Sequence, residues 1–243
     1  MNNPIRQRMI EEMQLRRFSE RTIESYIRAV GQLAGFCWKN PQDITAEEVR
    51  EYFLYLRNQK RLARATTTIA LCGIKFFFES TLKQDWTALN IPRPRAERKL
   101  PVVLSRDEVW RILGQVRELR HRACLTLIYT CGLRLGEGCR LAVSDIQRDR
   151  GLIHIRAAKG NKDRYVPLPA ATLRLLGDCW KTHRNPKWLF PRVDRGGAHG
   201  AHADQPVPLH TVQQAFRHAL KAAGVNKDAH VHTLRHSYAT HLL

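Results

Sequence analysis

Apolar residues recur at steps of three and four through roughly the first eighty positions, and strict alternation occurs in one later stretch. Ile23, Tyr26, Ile27, Val30, Leu33 and Ala34 share one face of a helix that Ser19 is placed to cap. Thr45-Ala-Glu-Glu48 has capping-box spacing and predicts a helix with Val49, Tyr52, Phe53 and Leu56 inward. A further helix is predicted from Arg64 to Leu82, with Ile69, Leu71, Ile74, Phe77 and Phe78 inward. With an initial helix near residues 4–17, these make a four-helix domain over residues 1–90. The segment 91–101 carries three prolines and, with no apolar period, reads as an extended basic linker.

A second domain is predicted over residues 102–243. Ser105-Arg-Asp-Glu108 is another capping box, opening a helix with Val109, Ile112, Leu113 and Val116 inward. The apolar run Leu125–Tyr129 predicts a buried helix leading to Gly132. Leu152–Arg156 alternates like a strand and pairs with Arg164–Leu168 across a turn at Gly160-Asn161-Lys162-Asp163. Helices near 170–183, 209–223 and 232–243 follow, and the Gly- and His-containing stretch 192–208 reads as a loop. The fold class is therefore mainly α with a small β-hairpin, an α+β arrangement in two domains.

Charge changes the picture more than composition does. Lysine and arginine number 41 against 22 acids, a formal net charge of +19. An excess of this size favours a polyanion, because neutralising phosphates releases condensed counterions. Both halves share it, with net charges of +6 for residues 1–95 and +13 for residues 96–243. No apolar run approaches the roughly 20 residues of a membrane-spanning helix, and no signal-peptide stretch opens the chain. The expected setting is the cytoplasm, with no membrane partner. The six cysteines lack C-x-x-C spacing and sit mostly in apolar runs, which favours buried reduced thiols over disulfides or zinc. His232 and His236 have the spacing of a helical metal pair, yet no carboxylate or thiolate lies beside them, so no metal is expected.

The candidate chemistry lies in three basic segments: Gly132-Leu-Arg134 with Glu137, Lys159-Gly-Asn-Lys162-Asp-Arg164, and His232-Thr-Leu-Arg235-His. Arg134 sits at a predicted helix start, where free N–H groups also favour an anion; its simpler role is an ion pair with Glu137 one turn on. Arginine suits a phosphodiester because its planar fork donates two parallel hydrogen bonds at any relevant pH. Lys159, ahead of a hairpin turn, is placed to act as a general acid. His232 and Arg235, three apart, share a helix face. In the first domain Arg64, Thr66, Thr67 and Lys75 form a basic and hydroxyl cluster suited to DNA phosphates. Lys162 and Arg164 are further candidate DNA contacts.

These motifs, with Val166-Pro-Leu and His232-Thr-Leu-Arg-His-Ser-Tyr-Ala-Thr-His-Leu-Leu243, resemble the tyrosine recombinases, closest to the Xer-type, phage-integrase and integron-integrase branch. The resemblance covers nearly the whole chain, the first domain being similar to that family's core-binding domain. It implies a clamp of two domains around double-stranded DNA and strand exchange through a 3′-phosphotyrosyl intermediate. In that scheme Arg134 and Arg235 hold the scissile phosphate, Lys159 protonates the leaving 5′ oxygen, His232 assists and Glu137 supports. No cofactor, ATP or metal is implied, and a tetramer on paired DNA sites is. The family's second histidine and its tyrosine fall beyond Leu243, and Tyr238 is better suited to packing than to attack. The expectation is a DNA-binding chain that ends before its nucleophile and neither cleaves nor joins strands. A non-catalytic DNA-binding or regulatory protein with the same grip is the alternative, and a type IB topoisomerase is a third.

Overall fold

The computed structural model describes residues 4–85, 100–158, 162–193 and 200–242. The chain divides into two compact units, Met1–Arg98 and Lys99–Leu243.

The first unit is built from α1 (Pro4–Leu15), α2 (Glu20–Cys37), α3 (Ala46–Asn58) and α4 (Arg64–Phe76), the last running into a π-helical turn at Phe77–Thr81. Ser19 caps α2 by accepting from the Thr22 N–H, and Thr45 and Glu48 form the reciprocal box that opens α3. Met9, Met13, Leu33, Val49, Ile74 and Phe77 fill the core. One sequence expectation is corrected: Ile69 is 47% exposed. The face of α4 is fixed by Gly73, where a Cβ would stand 2.9 Å from the Cα of Tyr26. That close approach to α2 turns Ala70, Leu71 and Ile74 inward and leaves Ile69 outside. The π turn then widens the helix so that Phe77, Phe78 and Thr81 are all buried.

The second unit centres on α6 (Leu119–Thr130), whose residues Ala123 to Tyr129 are buried without interruption. Around it lie α5 (Arg106–Gly114), α7 (Leu135–Cys139), α8 (Ala170–Lys181), α9 (Leu209–Ala222) and α10 (Val231–His241). A helix buried on every side shows no amphipathic stripe, as its sequence requires. The sheet is antiparallel in the order β1 (Ile146–Gln147), β2 (Leu152–Ala158), β3 (Lys162–Pro167). Two-residue β1 is too short to show alternation, and the sequence reading missed it. Ile153 pairs with Val166 and Ile155 with Arg164, and the register shifts between Ile155 and Ala158. Beyond α8, buried Asn185 donates its side-chain amide to the carbonyls of Gly200, Ala201 and Ala203, tying this part of the 192–208 stretch down. All six cysteines are free thiols, with Cys124, Cys131, Cys139 and Cys179 buried. Among the described residues, no helix is long and apolar enough to cross a membrane and no His, Cys, Asp or Glu group is arranged for a metal ion.

Candidate functional site

The site begins where α6 ends. Gly132 takes a left-handed conformation, φ +59°, which reverses the chain so that Arg134 becomes the N-cap of α7. A Cβ on Gly132 would run into the Tyr238 ring, so backbone conformation and packing both favour glycine here. The Gly132 carbonyl accepts a hydrogen bond from Arg235 Nη1. Arg235 and Tyr238 stand one turn apart on α10, and both meet the same residue. The far end of that helix is held as well. Tyr129 Oη and His241 Nδ1 lie 2.9 Å apart, and Arg106 Nη2 donates to the His241 carbonyl at 3.0 Å.

Glu137 is the hub. Its Oε2 accepts from the Arg134 backbone N–H at 2.8 Å and its Oε1 from Arg134 Nη1 at 2.8 Å. Arg164 reaches the same carboxylate with both arms, Nη1 to Oε1 at 3.0 Å and Nη2 to Oε2 at 2.7 Å. The Glu137 side chain is only 10% exposed, against 39% for Arg134 and 31% for Arg164. Burial pushes its carboxyl up. The hydrogen bonds from Arg164, then from the backbone and side chain of Arg134, outweigh that push and hold it down at about 2.

Two cationic forks therefore grip one anion, and a third, that of Arg235, lies within reach of their charge. Burial lowers Arg235 from the usual arginine value, the charges of Arg134 and Arg164 lower it further, and Glu137 opposes them. His232 stands on the second position of α10 within the field of the same group. Burial holds it below the ordinary 6.5, and His236, Arg235, His230 and Arg134 add to the effect. His232 and His236 meet edge to face, their centroids 4.6 Å apart. An arriving anion would offset this surplus of positive charge and favour protonation of His232.

Arg134 and Glu137 from one basic segment thus lie beside His232 and Arg235 from another. Lys159 lies outside the described residues. Arg164, a candidate DNA contact, turns its fork onto Glu137. Arg164 and Val166 share one side of the alternating strand, and Val166 packs against the core. In the first unit, Arg64 and Thr66 are exposed at the start of α4. The Thr67 hydroxyl reaches back to the Ala63 carbonyl at 3.5 Å, and Lys75 pairs with Glu79 at 3.4 Å.

Comparison with known proteins gives this arrangement a family. Residues 102–243 match the phage integrase family, and residues 5–88 match the phage integrase N-terminal SAM-like domain. The chain belongs to the phage integrase family. Within it, the chain is 40% identical over 241 residues to a Sinorhizobium fredii protein named as a suspected integrase/recombinase, covering 99% of this chain and 76% of that protein. A Thermosipho africanus protein named tyrosine recombinase is 32% identical over 240 residues, with 94% and 81% covered. Among solved structures, a lambda integrase tetramer bound to a Holliday junction superposes with a TM-score of 0.73 at 18% identity. That match covers 98% of this chain and 71% of the integrase chain, and it establishes the phage integrase fold: a SAM-like helical domain followed by a mainly helical domain with a small antiparallel sheet.

Proposed function

We propose that this member of the phage integrase family is a site-specific DNA recombinase whose site holds the scissile phosphate between Arg134 and Arg235. The observation that carries the reading is the excess of cationic forks over carboxylates around Glu137. Such a cluster suits a phosphodiester, whose negative charge is shared by two non-bridging oxygens. In the proposed reaction a tyrosine oxygen attacks phosphorus, the bond to the 5′ oxygen breaks, and Lys159 gives that oxygen a proton. His232 supplies a further hydrogen bond to the phosphoryl group, and Glu137 supports Arg134. The 5′ hydroxyl of a second strand then displaces the tyrosine, which takes a proton back. One phosphodiester replaces another, so the chemistry calls for no ATP, metal or other cofactor.

The substrate in this reading is double-stranded DNA, with tetramers formed on paired sites, in line with the lambda integrase assembly it resembles. Arg64, Thr66, Thr67, Lys75 and Lys162 are proposed as backbone contacts. The attacking tyrosine is assigned to none of the three in the second unit. Tyr129 is engaged with His241, Tyr165 stacks on His154 with centroids 4.8 Å apart, and Tyr238 lies against Gly132. The same placement favours a second reading, in which the protein binds DNA without cutting it. A nicked suicide duplex tests both. Binding without a covalent adduct is the expected result. An adduct lost on Tyr238→Phe would overturn the tyrosine assignment, and binding unaffected by Arg134→Ala together with Arg235→Ala would overturn the phosphate site.

A further inference from the structure

An ionised carboxylate has about four acceptor positions, and Glu137 fills all of them: two with donors from Arg134 and two with the fork of Arg164. The consequence for Arg134 is asymmetric. One guanidinium nitrogen, Nη1, is engaged on Glu137, while Nη2 and Nε have no partner among the described residues. Arg164 is held in place by its strand. It sits opposite Ile155 in the β2–β3 register, on the side of the sheet that carries Val166 and away from exposed Tyr165.

Resting on the phosphate-holding reading above, we propose that Arg164 is a positioning residue. By occupying half of the Glu137 carboxylate, it keeps Glu137 from gripping the Arg134 guanidinium with both oxygens and leaves the outer N–H groups of that guanidinium for a DNA phosphate. Two physical arguments support this. Without Arg164, Glu137 is left with unfilled acceptor positions in a poorly solvated place, and the nearest donor is a planar fork whose bidentate geometry suits it. Charge follows the same course. With Arg164 present, the Glu137–Arg164 pair is neutral and Arg134 keeps its full charge; without it, Arg134 becomes the neutralising partner. Lysine is a poor replacement, because an ammonium meets one oxygen as a point charge.

The test is a double-mutant cycle on binding to a 30-bp mixed-sequence duplex, read by fluorescence anisotropy over a salt series. Arg134→Ala sets the reference, a loss of about 0.9 in the slope of log K against log salt for one phosphate contact. Arg164→Gln is expected to give the same slope loss and about tenfold weaker binding. In a Glu137→Gln background, Arg164→Gln is expected to change neither slope nor affinity, and the double variant binds better than Arg164→Gln alone. Arg164→Lys falls between the wild type and Arg164→Gln. An equal loss in both backgrounds means that Arg164 touches DNA itself and overturns the proposal. Unchanged binding on Arg164→Gln, with Arg134→Ala still weakened, overturns this proposal alone. Unchanged binding on Arg134→Ala overturns the phosphate-holding reading and this proposal with it. Thermal melts accompany each variant, and if Arg164→Gln does not fold, Arg164→Lys completes the cycle with the same expected signs.

Discussion

Glu48 in the first unit and Glu137 in the second occupy the same local position, the third residue of a helix whose N-cap they hydrogen-bond. Both carboxyls are held at about 2, for different reasons. Glu48 is at the surface, and the hydrogen bond from Lys39 lowers it most, followed by those from the backbone and side chain of Thr45. Glu137 is lowered against the opposing push of burial, by two arginines 27 and 3 residues away in sequence. One carboxylate closes a helix end. The other gathers α7, β3 and, through the charge of Arg235, α10 into one site. A capping geometry is thus a local device whose wider role is set by what the tertiary fold delivers to it.

Substitutions at the two positions break the comparison most directly. Glu137→Ala leaves Arg134 and Arg164 facing each other with no anion between them. The expected loss is about 3 kcal/mol, the low end for one half of a buried pair because both arginines are partly exposed, measured by urea unfolding. Glu48→Ala is expected to cost clearly less in the same assay. Acid sharpens the contrast. A carboxyl held below its ordinary 4.5 contributes stability that is fully present above that value and is lost as pH falls from about 4.5 toward about 2. For Glu137 this amounts to about 2 kcal/mol after allowance for the partly exposed partners, and urea melts between pH 5 and pH 2 should show a flatter profile in Glu137→Gln. Gly132→Ala should cost roughly 1 to 2 kcal/mol from the left-handed backbone alone, and displacement of the Tyr238 ring adds to it. Changes in near-ultraviolet circular dichroism from Tyr238 report that second effect. Smallest, Thr45→Ala should cost about 1 kcal/mol, the usual value of a lost N-cap, by thermal melting.

The first unit was legible in the sequence because its determinants are local. Ser19 and Thr45 each announce a helix within three or four residues of themselves, as Ser105 does in the second unit, and each cap is present. What the pattern could not convey depends on approach between segments. Ile69 fits an inward helical period, but the contact of Gly73 with Tyr26 chose the face. The Phe77–Thr81 turn likewise departs from a regular helix because two adjacent phenylalanines are buried together. At the site, residue types and order identified Arg134, Glu137, His232 and Arg235 as members of one group. The bond between Arg164 and Glu137 spans 27 positions and leaves no mark in either motif, beyond the side of the strand on which Arg164 falls. The hydrogen bond from Arg235 to Gly132 spans 103 positions and leaves none at all.

That last bond has a consequence for how the site tolerates change. Gly132 lies two residues ahead of one fork and bonds the other, so a single tripeptide sets the spacing of both arginines. Sequence drift elsewhere in the unit can reshape helices or lengthen loops without altering that gauge. One residue inserted between Gly132 and Arg134 would reset it at a stroke.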